Sequence, residues 1–262
     1  MLTAWLFDLY PSADGITLWF VDAEGRKHRA YARFTPSLYL HLDVGHAGRI
    51  ADLLRAFPVT VRPATKREIY SNTDWHVLEV TVGGTAHFKN VVRLLEQHLP
   101  HYVFFNSDIP IAQLFLYDTG LFPLAFGMYE FDTDGRLLSW QLQDTNDAME
   151  YTFPPLTILT LKNRPDVVSP KFRKNLQLEL SYDGSTYALE SSDPQDVLFS
   201  LERHLRRCDP DVILTEYGDA VLLPMLTRLA AEHGAPLSLN RDAGCGYITS
   251  HASSYFAYGK IV

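Results

Sequence analysis

Cysteine is nearly absent. Two residues, Cys208 and Cys245, are all that the 262-residue chain carries. They form neither a disulfide framework nor a metal-ligand spacing, so a reducing cytoplasm is the expected setting. Long apolar runs are missing too: no stretch approaches the roughly 20 residues that a membrane helix needs, and no membrane partner is expected. The opening residues, Met1-Leu2-Thr3-Ala4-Trp5, lack the basic region and apolar stretch of a signal peptide. Positive charge is in deficit, with 23 basic against 31 acidic residues and a formal charge of -8. That counts against a free-standing nucleic-acid binder, whose affinity comes from Lys and Arg displacing counterions, but leaves room for a local basic groove. There is no glycine-rich phosphate loop, nucleophile elbow, redox cysteine pair or internal repeat, which removes several common enzyme classes.

Apolar material is plentiful, at 47% hydrophobic and 13% aromatic residues, enough for a sizeable core in one large or two ordinary domains. The first third reads as strands. Trp5 to Tyr10 and Ile16 to Val21 are rich in β-branched and aromatic residues, with turn residues between them, and a third strand is expected near His28 to Phe34. From Ser37 the pattern becomes strand (Leu38 to Leu42), helix (Ile50, Leu53, Leu54, Phe57), strands (Val59 to Arg62 and Trp75 to Val82), helix (Phe88, Val91, Val92, Leu95, Leu99) and strand (Tyr102 to Phe105). This order predicts a ferredoxin-like sandwich, an arrangement that RNA-recognition modules share. The RNA-recognition consensus is absent, so Tyr39, Tyr102, Phe104 and Phe105 are expected in the core.

A linking stretch, Asp108 to Glu150, holds an apolar segment at Ile111 to Leu116 and two strands joined by Asp132-Thr133-Asp134-Gly135, which reads as turn chemistry rather than a metal site. Beyond it the pattern turns α/β. A buried strand at Leu156 to Leu161 precedes a hairpin around Asp183-Gly184. A helix opens at Ser192-Asp193-Pro194 and presents Leu198, Leu201 and Leu205 inward. A strand at Asp211 to Thr215 and a helix from about Ala220 to Glu232, stopped by Gly234, follow. The chain closes on an aromatic strand, Ser254 to Val262, an ending that predicts a fragment of a longer product. His98 with His101, and His204 with Cys208, are half-sites at most. The expected organisation is a mixed α/β (α+β) chain of two domains, residues 1–150 and 151–262.

Two segments carry a family resemblance. Asn106-Ser107-Asp108-Ile109-Pro110, running on to Gln113-Leu114-Phe115-Leu116, resembles the stretch before the exonuclease domain of family B DNA polymerases. Asp209-Pro210-Asp211-Val212-Ile213, with Tyr217-Gly218-Asp219 and Leu223-Pro224, resembles that family's second exonuclease motif. Pro154 to Leu159 lies where the family has the strand of its first motif, and Ser254 to Gly259 resembles the aromatic strand after the second. The resemblance implies an N-terminal domain with a ferredoxin-like unit, followed by a ribonuclease-H-like exonuclease-type domain, incomplete at its C-terminus.

The family's exonuclease hydrolyses a phosphodiester with two Mg²⁺ ions roughly 4 Å apart, held by several converging carboxylates. Its first motif supplies an Asp and a Glu two residues apart on one strand face. At the matching positions this chain has Lys162 and Arg164, and where the second motif has an Asn and the catalytic Asp it has Tyr217 and Leu222. A cation at a metal-ligand position repels the metal, so no metal and no cofactor are expected unless exonuclease or polymerase activity survives, in which case Mg²⁺ is. A shifted alignment offers Asp166, but Pro165 would disturb a central strand. Lys162 and Arg164 are candidates to hold a phosphate, and Tyr217 to stack on a base.

The expected function is thus the non-catalytic region of a family B DNA polymerase, or of an inactivated relative, handling template or single-stranded DNA among replication or repair proteins. The alternatives are an interaction scaffold that has lost DNA contact and a surviving nuclease with relocated ligands.

Overall fold

The structure, a computed structural model, describes residues 1–41, 44–164, 176–242, 248–249 and 255–256. It divides into two compact units, Met1–Thr152 and Phe153–Val262. In the first, β1 (Leu2–Ser12), β2 (Gly15–Asp22) and β3 (Lys27–Arg33) are followed by β4 (Ser37–His41), α1 (Ala47–Leu53), β5 (Val59–Arg67), β6 (Asp74–Val82), α2 (Thr85–His98) and β7 (Val103–Phe105). Then come α3 (Ile111–Thr119), β8 (Phe126–Phe131) and β9 (Leu137–Leu142).

One antiparallel sheet has the order β3-β2-β1-β8-β9. Sequence reading assigned β8 and β9 to a linking stretch, whereas β8 pairs with β1 from Leu2↔Tyr129 to Trp5↔Phe126. The cause is long-range packing: Tyr129 is fully buried, against Phe20 at 4.5 Å between ring centroids. The β2–β3 turn is fixed by the buried Asp22. Its carboxylate accepts from the Glu24 and Arg26 amides and the Arg26 guanidinium, and meets His28 Nε2 at 2.8 Å. Burial alone would push this carboxyl up. The His28 and Arg26 hydrogen bonds outweigh it and hold the group well below the ordinary carboxylate range.

The second sheet has the order β5-β6-β4-β7, antiparallel throughout. With α1 after β4 and α2 after β6 this is the ferredoxin-like arrangement. Its alternation is clear. Leu38, Leu40, Leu78 and Val80 pack on Ile50 of α1 and on Phe88, Val91 and Leu95 of α2. The intervening residues face away from the helices. Of the aromatics expected in the core, Phe104 packs against it, whereas Tyr39 and Phe105 are only half-buried and Tyr102 is 40% exposed. Tyr39 and Phe105 are cross-strand neighbours on the face away from the helices, a placement that follows from strand register and that composition does not reveal.

The second unit contains β10 (Ile158–Asn163), β11 (Gln177–Tyr182), β12 (Ser185–Glu190), α4 (Pro194–Cys208), β13 (Val212–Thr215) and α5 (Leu223–His233), then the short pair β14 (Ile248–Thr249) and β15 (Tyr255–Phe256). Its main sheet has the order β12-β11-β10-β13. β10 is antiparallel to β11 and parallel to β13, and α4 provides the crossover that a parallel pair requires. This is the ribonuclease-H-like order. Of the expected terminal strand, Ser254 to Val262, only Tyr255–Phe256 are described, as β15; its other residues and Asp166 lie outside the described residues.

Asp193 caps α4 by accepting from the Gln195 amide at 2.9 Å, with Pro194 in the first turn. The helix buries Val197, Leu198, Leu201 and Leu205 against Leu159, Leu161, Leu178 and Leu226. Gly234, at φ 59°, ends α5 in the left-handed region where glycine carries no side-chain penalty. His204 is no metal half-site: its Nδ1 meets the Tyr182 hydroxyl at 2.8 Å, and burial followed by the nearby Arg207 and Arg203 lowers its pKa. No helix among the described residues is long and apolar enough to cross a membrane.

Leu201→Ala, which opens a cavity in a fully buried site, is expected to cost about 2–5 kcal/mol, measured by urea unfolding. Glu202 supplies a pH dependence. Burial raises its pKa, but hydrogen bonds from Arg206 and from the Ser238 hydroxyl and amide outweigh this and lower it. Its folded value therefore lies below its unfolded one. Its contribution to stability is full above the ordinary carboxylate value and is lost as pH falls through the lowered one. Glu202→Gln should flatten the acid limb of a stability–pH profile, and an unchanged limb would contradict this assignment.

Candidate functional site

β10 separates its residues by alternation. Leu159, Leu161 and Asn163 are buried toward α4 and α5, while Thr160, Lys162 and Arg164 line the opposite face. The antiparallel register with β11 sets Lys162 opposite Glu179. Gln177 pairs with Glu190 on β12, and the Arg164 amide bonds the Gln177 carbonyl at 2.9 Å. The parallel register with β13 matches Leu161 to Thr215, so Glu216 lies beside Lys162.

Both sequence-predicted cations therefore fall on one partly exposed face, and both are ion-paired there. Lys162 Nζ lies 3.7 Å from Glu216 Oε1. Arg164 reaches Glu179 at 3.3 Å and Glu190 at 3.4 Å. At this exposure each pair contributes at most about 1 kcal/mol. Their chief consequence is electrostatic, since two cations and three carboxylates occupy one face. Glu179 and Glu190 were not visible as partners in the sequence, because cross-strand register is a tertiary property.

The second-motif positions separate. Tyr217 is 60% exposed and left-handed at φ 55°. Leu222 is fully buried in the core of the unit, so the position that carries a catalytic Asp in the resembled motif is used here for packing. Between them Gly218 to Leu222 form a single π-helical turn that sequence reading had merged with α5. Gly218 permits it, since a Cβ there would fall 1.8 Å from Thr215 Oγ1.

Asp209-Pro210-Asp211 turns out to be an anchor. Asp209 ends α4 at φ 38°. Asp211 is fully buried, and its Oδ2 accepts the Thr157 amide at 2.8 Å just before β10. Arg241 Nη2 donates to Asp211 Oδ1 at 3.0 Å and to the carbonyls of Asp209 and Pro210 at 3.1 and 3.2 Å. Arg241 was missed in the sequence, where nothing marks it as the partner of a residue 30 positions away.

The donor set does not fit a two-metal centre. The first-motif positions carry ammonium and guanidinium groups, which cannot ligate Mg²⁺. Among the described residues no three His, Cys, Asp or Glu are grouped so as to hold a metal ion, and Glu179, Glu190 and Glu216 are each ion-paired to Arg164 or Lys162.

No family model matches the chain. In sequence it is 28% identical over 139 residues to a DNA polymerase of Pyrococcus glycovorans, a segment that makes up 53% of this chain and 16% of that protein. In structure it is similar to the family B DNA polymerase of the hyperthermophilic archaeon Pyrobaculum calidifontis. The TM-score is 0.81 at 22% identity, over 99% of this chain and 36% of that one. The chain thus has the fold of about a third of a family B polymerase.

Arg241→Met would leave the Asp211 carboxylate buried without its cation. The expected cost is about 3–5 kcal/mol, read as a lower midpoint in chemical denaturation, and a change within about 0.5 kcal/mol would contradict the anchoring role.

Proposed function

We propose that this chain, related in sequence and fold to family B DNA polymerases, is a non-catalytic exonuclease-like region that handles template or single-stranded DNA in replication or repair. One observation carries the reading. The two strand positions that would hold metal-binding carboxylates are Lys162 and Arg164, and both are ion-paired to acids on the same sheet face. In a two-metal nuclease the cations neutralise converging carboxylates, activate water and stabilise the leaving oxygen. Here side-chain cations perform the neutralisation, and among the described residues no group on the face takes over the other two tasks. The fold is thereby retained without its hydrolytic chemistry. The half-exposed Lys162 and Arg164, with the projecting Tyr217, remain available to a phosphate and a base. DNA is the proposed partner, in a reducing cytoplasm, with replication or repair proteins beside it.

A second reading, an interaction scaffold without DNA contact, is favoured by the pairing itself. Glu179, Glu190 and Glu216 must be outcompeted by phosphate, and the formal charge of -8 gives no general attraction.

Fluorescence anisotropy with labelled single-stranded DNA at low and moderate salt separates the two, alongside a cleavage assay in Mg²⁺. The handling reading expects an uncut strand and salt-sensitive binding, weakened about five-fold or more by Lys162→Asp. Binding indifferent to Lys162→Asp and Arg164→Glu would remove this face from the account and leave the scaffold reading. Shortening of the strand by the wild type, abolished by Glu216→Gln, would overturn the non-catalytic assignment.

A further inference from the structure

The open face of the ferredoxin-like sheet carries rings that no core requires. Tyr39 and His41 on β4, Trp75 on β6 and Phe105 on β7 all lie on the side away from α1 and α2. His41 and Trp75 are 4.2 Å apart between ring centroids, and Trp75 meets Phe105 edge-on at 5.7 Å. All are partly or largely solvent-accessible. The β5–β6 hairpin runs on past this face, and its tip bears Ile69 at 84% and Tyr70 at 95% exposure. Such exposure of large apolar side chains marks a binding surface more often than a structural need.

The charges on the face are arranged asymmetrically. Glu79, Glu68 and Asp74 are engaged locally, and Asp118 of α3 lines the adjoining groove. The Glu79 carboxylate, almost fully buried, takes the Arg62 Nε–H at 2.6 Å and the Tyr39 hydroxyl at 3.4 Å. Glu68 accepts the Tyr70 and Ser71 amides of the hairpin tip, which lowers its pKa, and Asp74 pairs with Arg67. Lys66 makes no ion pair among the described residues, and its Nζ sits 5.0 Å from the centre of the Tyr39 ring. Arg62, two-thirds exposed, stands beside it. A groove of about 390 Å³ runs between these cations and α3, with Tyr39 on one wall and Tyr117 on the other.

We propose that this face is a stacking platform for a short single-stranded nucleic acid, with bases on Trp75, Tyr39 and the Tyr70 ring of the hairpin tip, and the backbone along Lys66 and Arg62. Flat rings on adjacent strands suit unpaired bases, whose π-faces stack irrespective of sequence. Lys66 thus faces a polyanion directly, while Arg62, held by Glu79, has its remaining guanidinium N–H groups to offer. The platform lies within the first unit and does not depend on the reading of Lys162 and Arg164.

Its test is anisotropy of the whole chain with short labelled oligo-dT and oligo-U at low and moderate salt. Trp75→Ala is expected to weaken binding about ten-fold, the usual loss for one base–aromatic stack, and Lys66→Glu to weaken it and reduce its salt dependence. Tyr70→Ala, at the exposed tip, is a second aromatic variant that does not touch the core, and it decides the matter if Trp75→Ala disturbs folding by circular dichroism. Tighter binding of oligo-U assigns an RNA strand, and equal or tighter binding of oligo-dT a DNA strand. Absence of binding by the wild type, or binding unchanged in Lys66→Glu together with Trp75→Ala or Tyr70→Ala, overturns the platform. Lys162→Asp should leave this component intact, so the two sites fail separately.

Discussion

A buried carboxylate organises the second unit. Asp211 lies at zero exposure between the starts of two parallel strands. Its own amide and that of Val212 bond the Thr157 carbonyl, while its side chain takes the Thr157 amide. A charge so placed is tolerable only when it is paired and fully hydrogen-bonded, and Arg241, 9% exposed, meets that condition. This junction sets the register of β10 against β13, and β10 in turn sets β11. From those two registers follows the placement of Lys162 beside Glu216 and of Arg164 beside Glu179 and Glu190.

The same need to pair a carboxylate with a cation recurs on the β10 face. Converging carboxylates repel one another, so a site built from them needs cations to hold it together. Here lysine and arginine supply the positive charge from within the chain. These cations offset most of the negative charge that Glu179, Glu190 and Glu216 bring to the sheet face, and at this exposure the pairs change stability little. Leu222, fully buried, contributes apolar area to the core of the same unit.

Much of the fold was legible in the sequence because its local signals agree. The periods of two and 3.6, the Asp193-Pro194 cap and the Gly234 stop each correspond to an observed element. The order of strands and helices was enough for the ferredoxin-like unit, whose helix-facing leucines and valines alternate cleanly. What sequence could not carry was pairing at a distance. The union of β8 with β1 joins residues more than 120 positions apart, and the Arg241–Asp211 anchor spans 30. The partners of Lys162 and Arg164 depend on three strand registers at once. Aromatic composition was misleading for Tyr39 and Phe105, because rings fill cores and recognition faces alike and only register tells which.

The central claim is that the β10 face has exchanged metal ligation for internal ion pairing. Calorimetric titration of the whole chain with Mn²⁺ tests it most directly, because Mn²⁺ occupies oxygen-donor sites of the Mg²⁺ type. The account predicts no saturable uptake that depends on Glu179, Glu190 or Glu216. Saturable binding that disappears when those three glutamates are changed to glutamine would contradict it.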